Sequence, residues 1–226
     1  MDNQFKYIGL GVYTITEAAQ LTGIPRSNIR RWTRGYTYKR GGKEHRLLPV
    51  LGHMENDILT FHFADLMEVR VLDQFRKCGV SWKSLRIAVQ KAIELTGHPH
   101  PFSLRTFRTD GRTILMKVAT ETGVLLDLLK DQHEFEKIVE PFLYEMVDFA
   151  DNEEPQRWWP LGKDRTVVLD PARSFGAPIC GPSGVPTRVI QGLYEAENDI
   201  ETVMWWHSVM KQEVEDAVEF EQRMAA

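Results

Sequence analysis

The sequence predicts a mainly α-helical fold with small β hairpins, and three observations carry that expectation. Residues Ile15 to Gly35, ITEAAQLTGIPRSNIRRWTRG, read as two short helices on either side of Gly23. Residues Tyr36 to Phe63 break into short strand-like pieces, Thr37-Tyr38, Leu47-Leu48 and Ile58 to Phe61, interrupted by Gly41-Gly42, Pro49 and Gly52. From Thr187 onward, cap residues and apolar spacing mark three consecutive helices. The implied order is an N-terminal winged helix-turn-helix, a middle β-hairpin plus helix, and a C-terminal three-helix, helix-turn-helix-like domain with a short strand. The expected boundaries are 1–97, 98–150 as a possible dimerisation layer, a linker over 151–164, and 165–226.

In the first stretch Thr16 can cap a helix that has Glu17 in its first turn, and Ile24-Pro25 starts the second helix. At 100° per residue, Ser27, Arg30, Arg31 and Arg34 share one face of that second helix while Ile29 and Trp32 share the other. Such a helix buries its apolar side and presents guanidiniums, whose planar fork matches phosphate oxygens and the guanine acceptors of a major groove. An ordinary amphipathic hairpin with a solvated basic face fits the same spacing. The next segment adds Lys39, Arg40, Lys43 and Arg46 on a Gly-interrupted hairpin, a wing suited to phosphate contact, or else a solvated loop. Double-stranded DNA is the partner these residues point to, with Arg26, Lys39, Arg40, Lys43 and Arg46 on the backbone and Ser27, Arg30, Arg31 and Arg34 in the groove.

The net charge of -4 conceals a split. Residues 1–112 hold 18 Lys and Arg against 10 Asp and Glu, and residues 113–226 hold 10 against 22. A polyanion suits the first half and a different partner the second, or the two halves attract each other. After the wing, Leu66, Val69, Leu72 and Phe75 define one helix; Ser81 caps the next, lined by Leu85, Ala88, Val89 and Ala92 and ended by Gly97. Asp110-Gly111 then reads as the turn of a hairpin, and Leu125 to Phe149 as a helix rich enough in large apolar residues to form either a dimer face or a small core.

Residues Asp151 to Asp164 are a polar, Pro- and Gly-containing stretch interrupted by Trp158-Trp159, which are expected to dock on a domain or a partner. Thr166 to Leu169 reads as a strand, GAPICGPSG as a turn, and Thr187, Asp199 and Lys211 as the starts of three helices. Val185, Val189, Leu193, Val203, Val214, Val218 and Phe220 are available for their core, and Glu213, Glu215, Asp216, Glu219 and Glu221 read as a solvated face. The acidity of residues 195–226, nine acids against two basic residues, disfavours phosphate contact there.

Nothing in the sequence supports an enzyme. It lacks a P-loop, GxGxxG, GxSxG and HExxH, and its two cysteines, Cys78 and Cys180, stand far apart without metal-ligand spacing. His98-Pro99-His100 reads as a pair of surface histidines in a loop. No cofactor and no metal are expected. No leader-like start and no apolar run of membrane-spanning length occur, so the expected location is the cytoplasm, away from membranes.

Two stretches resemble known families. TITEAAQLTGIPRSNIRRWTRG, followed by FADLMEVRVLDQFRKCGVSWKSLRIAV, resembles the winged DNA-binding domain of MerR-type regulators over residues 14 to about 95, with a longer insertion between Lys43 and Phe61 and a departure after Thr96. The C-terminal stretch from Arg157, with Asp170-Pro171, Phe175 to Pro178, Ser183 to Thr187 and Ala217 to Glu221, is similar to a small domain of VapB-like antitoxins. The combined resemblance implies an antitoxin that neutralises a PIN-like ribonuclease toxin and represses its own operon, and a homodimer is the expected form. Trp158, Trp159, Arg173, Phe175 and Arg188 are then the candidate partner-binding residues. The competing readings are a stand-alone transcriptional regulator with a C-terminal oligomerisation domain and a protein-interaction adaptor with an incidental basic face.

Overall fold

The computed structural model describes residues 9–47, 49–51, 53–55, 58–107, 113, 115–117, 119–120 and 146–225. The architecture is mainly helical with small antiparallel strand pairs, as the sequence predicts. The chain divides into two compact units: Tyr13–Tyr144 with Phe149–Pro155, and Met1–Val12, Glu145–Asp148 and Gln156–Ala226. Among the described residues, no helix is long and apolar enough to cross a membrane.

The first described elements are strand β1 (Val12–Tyr13) and helices α1 (Ile15–Thr22) and α2 (Arg26–Arg34). The cap of α1 is Thr14 rather than Thr16. Thr14 Oγ1 accepts the Glu17 N–H at 3.1 Å and the Glu17 carboxylate accepts the Thr14 N–H at 2.7 Å, a reciprocal box that Thr16, already helical, cannot make. Gly23 ends α1 in the left-handed conformation at φ 69°. Strands β2 (Tyr36–Arg40) and β3 (Lys43–Leu47) form the expected wing, and β4 (His53–Glu55) and β5 (Ile58–His62) join β1 in a sheet of order β1-β5-β4.

Helices α3 (Phe63–Lys77) and α4 (Trp82–Thr96) follow, and all eight apolar positions predicted for them are buried. Their packing is completed by a 3-10 turn at Pro101–Ser103, whose Phe102 meets Phe75 edge-on at 6.1 Å and Phe107 at 4.8 Å. The predicted middle hairpin is corrected. Residues 106–107, 113, 115–117 and 119–120 are helical; Phe107 is buried, as are Leu115 and Ala119 four residues apart. Burial of these side chains overrides a local turn signal. Asp110-Gly111 and the apolar stretch 125–145, the expected dimerisation layer, lie outside the described residues.

His100 is also corrected, from surface loop to interior. Its Nδ1 lies 3.1 Å from Glu68 and 3.6 Å from Asp65, both buried on α3, and Glu68 also accepts the Phe102 N–H at 3.2 Å. Burial alone would lower the imidazole pKa, but the hydrogen bond to Glu68 and the charges of Glu68, Asp65 and Glu154 hold it above 6.5. Burial in turn pushes the Glu68 carboxyl up, against the pull of His100 and Phe102. A raised histidine contributes stability that is full below its unfolded value of 6.5 and is lost as pH rises through the higher folded value. Stability of this unit is therefore expected to decline as pH rises past 6.5, and His100→Gln to flatten that slope in urea titrations.

A four-stranded sheet has the order β6-β7-β8-β9: β6 (Val147–Phe149), β7 (Pro155–Trp158), β8 (Val167–Leu169) and β9 (Pro178–Cys180). The stretch read as a linker thus includes β7, and the stretch read as a turn includes β9. A Cβ on Gly181 would stand 3.2 Å from Thr166 O and 3.4 Å from the Trp159 ring, so a side chain there would have to push these neighbours back by a few tenths of an ångström. Helices α5 (Thr187–Glu197), α6 (Ile200–His207) and α7 (Lys211–Ala225) sit where the sequence places them. Asp199 caps α6 through the Thr202 N–H, whereas Thr187 lies inside α5 with Pro186 at the cap. The core is Cys180, Ile190, Val203, Val209, Val214 and Ala217; Val189, expected there, is exposed.

The acids of α7 are not all solvated. Glu213 and Asp216 are buried. Glu213 accepts the N–H groups of Ser183 and Met210, both at 2.9 Å. Asp216 accepts from Thr166 N at 2.7 Å, Thr166 Oγ1 at 2.8 Å, Gln212 at 2.7 Å and Arg165 Nε at 2.6 Å. These carboxylates lock the sheet and the turn to α7.

Candidate nucleic-acid interface

Helix α2 buries Ile29, Trp32 and Thr33, and exposes Arg26, Ser27, Arg30, Arg31 and Arg34. The division is the one the 3.6-residue period predicts. Its inner face is set by Trp32, whose ring lies 4.8 Å from that of Trp82 at the start of α4, with the Arg76 guanidinium 4.7 Å over Trp82. The Trp32 carbonyl also accepts the N–H groups of Val50 at 2.7 Å and Leu51 at 3.1 Å, which fastens the chain leaving the wing to the helix.

The wing is a two-residue hairpin. Gly41 and Gly42 both take positive φ, 60° and 76°, as the twist of a tight hairpin requires. Its register places Arg40 opposite Lys43 at the tip, Lys39 opposite Glu44, and Thr37 opposite Arg46. Lys39, Lys43 and Arg46 are exposed. From Arg26 to Leu47 there are eight Lys and Arg residues against one acid, Glu44, so the module carries a strongly positive surface in one short stretch.

Three aromatic side chains that the local sequence pattern does not single out join helix to wing. Tyr38 stacks on His45 directly across the hairpin at 5.2 Å, Tyr36 lies 6.1 Å from Tyr38, and the Arg31 guanidinium sits 5.5 Å over Tyr36. The alternation Tyr36-Thr37-Tyr38 was the available signal, since residues two apart share a strand face. Arg31 is therefore held toward the wing, while Arg30 stands free of that stack. Between helix and wing an open groove of about 620 Å³ is lined by Arg34, Gly35, Tyr36, Thr37, Glu44 and Arg46. Arg46 can hold a phosphate at its wing side, Arg34 lines its helix side, and Glu44 tempers the field.

The predicted partner-binding residues separate. Trp158 is only 4% exposed and belongs to the interior, and Trp159 is half-buried with its indole N–H donating to Asp148 at 2.9 Å. Arg173 is half-buried and donates to Gly181 O at 2.8 Å, supporting the turn from below. Phe175, at 73% exposure, and Arg188 face outward. The exposed tryptophan pair of this unit is instead Trp205-Trp206 on α6.

Residues 11–89 match the family model described as "Putative DNA-binding HTH domain". The N-terminal module is an HTH domain. Over 222 residues the chain is 27% identical to the "Putative antitoxin VapB45" of Mycobacterium tuberculosis, with 92% of each chain covered. It is similar in structure to the crystal structure of Rv2018 from Mycobacterium tuberculosis, with a TM-score of 0.71 and 26% identity over 92% of this chain and 97% of that one. The likeness therefore runs through the acidic half as well as the HTH module.

Removing the wing cations should act on phosphate binding alone. Lys39→Ala with Lys43→Ala and Arg46→Ala is expected to weaken binding to all duplex sequences alike. The slope of log affinity against log salt should fall by ~0.9 for each phosphate no longer neutralised. Fluorescence anisotropy over a salt series measures both.

Proposed function

We propose that this protein is the antitoxin of a type II toxin-antitoxin system, which binds and neutralises a PIN-like ribonuclease toxin in the cytoplasm and represses its own operon. The N-terminal module, organised like that of MerR-type regulators, docks α2 in the major groove of operator DNA and lays the wing on the adjoining backbone. Arg30 and Arg34 with Ser27 read bases, Arg31 bridges helix and wing, and Arg26, Lys39, Arg40, Lys43 and Arg46 hold phosphates. The chain acts as a homodimer, so that two modules meet two half-sites. Residues 1–97 serve DNA, 98–150 serve dimerisation, and 165–226 serve the toxin.

The observation that carries this reading is likeness to an antitoxin over 92% of both chains in a protein whose HTH module exposes a row of cations. A basic helix alone fits any regulator; similarity extending through the acidic half supports the second role. The test is co-expression with the product of the adjacent open reading frame. Growth arrest by that product, relieved by this chain, together with retarded migration of the upstream DNA, is the expected result. DNA binding without any interaction with that product leaves the stand-alone regulator as the reading.

A further inference from the structure

Helix α6 has eight residues and two faces of contrasting use. Ile200, Val203 and Met204 pack into the core of the C-terminal unit. Trp205 and Trp206 stand 76% and 64% exposed, edge to face with each other at 5.4 Å, and Met210 beyond them is exposed as well. Indole rings carry large apolar area, and keeping two of them in water opposes solubility unless something covers them. The surroundings indicate what. Glu201 is one turn before Trp205, on the same side of the helix, and Glu195, Glu197 and Asp199 precede it, all exposed. From Glu195 to Met210 there is no Lys or Arg.

We propose that this tryptophan pair and its acidic rim form the surface that docks the toxin, through a face of that partner carrying arginine or lysine side chains around an apolar depression. The proposal rests on the antitoxin reading and deepens it. The indole faces accept guanidinium groups by cation-π attraction, and the rim carboxylates supply the opposite charge. The same charge excludes a nucleic acid, whose phosphates the four acids repel. It also disfavours a second copy of α6 across a two-fold axis, where acid would meet acid. A nuclease that handles a polyanion has a basic surface to offer, so occupation of it would block access of RNA.

The probe is the purified product of the adjacent reading frame, titrated against full-length chain by calorimetry. Trp205→Ala with Trp206→Ala is expected to weaken that binding about a hundredfold, as loss of two interface anchors does, while leaving the melting temperature and binding to upstream DNA unchanged. Glu197→Lys with Glu201→Lys is expected to slow association, with the deficit shrinking at high salt. If unaltered chain does not bind the product, the antitoxin reading and this proposal fall together. Binding by the tryptophan variant within threefold of the unaltered chain overturns the docking assignment alone. A variant that sediments as a monomer, where the unaltered chain is a dimer and toxin binding is kept, assigns the surface to a second copy and overturns it too.

Discussion

A chain carrying Arg30→Ala and Arg31→Ala is expected to bind the upstream DNA a few hundredfold more weakly at moderate salt, with the larger share lost from Arg30. A bidentate arginine–guanine contact discriminates by ~1 to 3 kcal/mol, and a phosphate contact contributes less and without regard to sequence. Both side chains leave the buried side of α2, so their removal costs little packing. They differ in what else they touch. Arg31 lies over the Tyr36 ring, and its loss loosens helix from wing; Arg30 has no such engagement in the aromatic row. Arg30→Ala alone should therefore relax base preference at one position of the site, whereas Arg31→Ala should weaken binding evenly. Unchanged affinity in the double variant would remove α2 from the groove.

Asp216→Ala is expected to destabilise the C-terminal unit by about 3 kcal/mol, read as a shifted midpoint in urea titration of the full chain. The carboxylate is buried and accepts four hydrogen bonds, two of them from Thr166 on the strand side and one from Arg165. Removing it leaves the Thr166 N–H without its acceptor and Arg165 with Glu219 alone, which costs more than the bonds themselves contribute. Burial alone would raise the Asp216 pKa; the backbone N–H of Thr166, Gln212, Arg165 and the Thr166 hydroxyl overcome it and hold the acid below 3.8. A depressed acid contributes stability that is full above its unfolded value and is lost as pH falls through the folded one. Asp216→Ala should accordingly lose part of the acid sensitivity of the unaltered chain. Asp216→Asn should fall between the two, because the amide can still accept from Thr166.

Helices were legible wherever their own residues decided them. Leu85, Ala88, Val89 and Ala92, and the starts near Thr187, Asp199 and Lys211, needed only local spacing and capping. The wing was legible too, because Gly41-Gly42 supplies positive φ on both residues. What escaped depended on partners far along the chain. Asp216 and Glu213 look like surface acids until Thr166 and Ser183 are brought to them. Pro178–Cys180 becomes a strand only beside β8, and Trp158 enters the interior only once β7 joins the sheet. Asp110-Gly111 carries the local signal of a hairpin, yet the described residues on either side, 106–107 and 113 and 115–117, are helical, with Phe107 and Leu115 buried. The exposed Trp205-Trp206 pair was within reach of the sequence. Ile200, Val203 and Met204 already fill the inner face of an eight-residue helix, which leaves adjacent tryptophans at positions 205 and 206 nowhere to go but outward.

The grip of the Trp32 carbonyl on Val50 and Leu51, together with the seating of its ring on Trp82, makes one residue the pivot of the DNA-facing surface. Helix pitch and wing angle are not separate adjustments in this protein. A change that tilts Trp32, such as one at Trp82 beneath it, is expected to shift both the row of guanidiniums on α2 and the chain leaving the wing, because Trp32 touches both. If α2 and the wing bind a duplex as proposed, a substitution at Trp82, which carries no charge and lies under Trp32, is expected to change that binding without altering the surface charge.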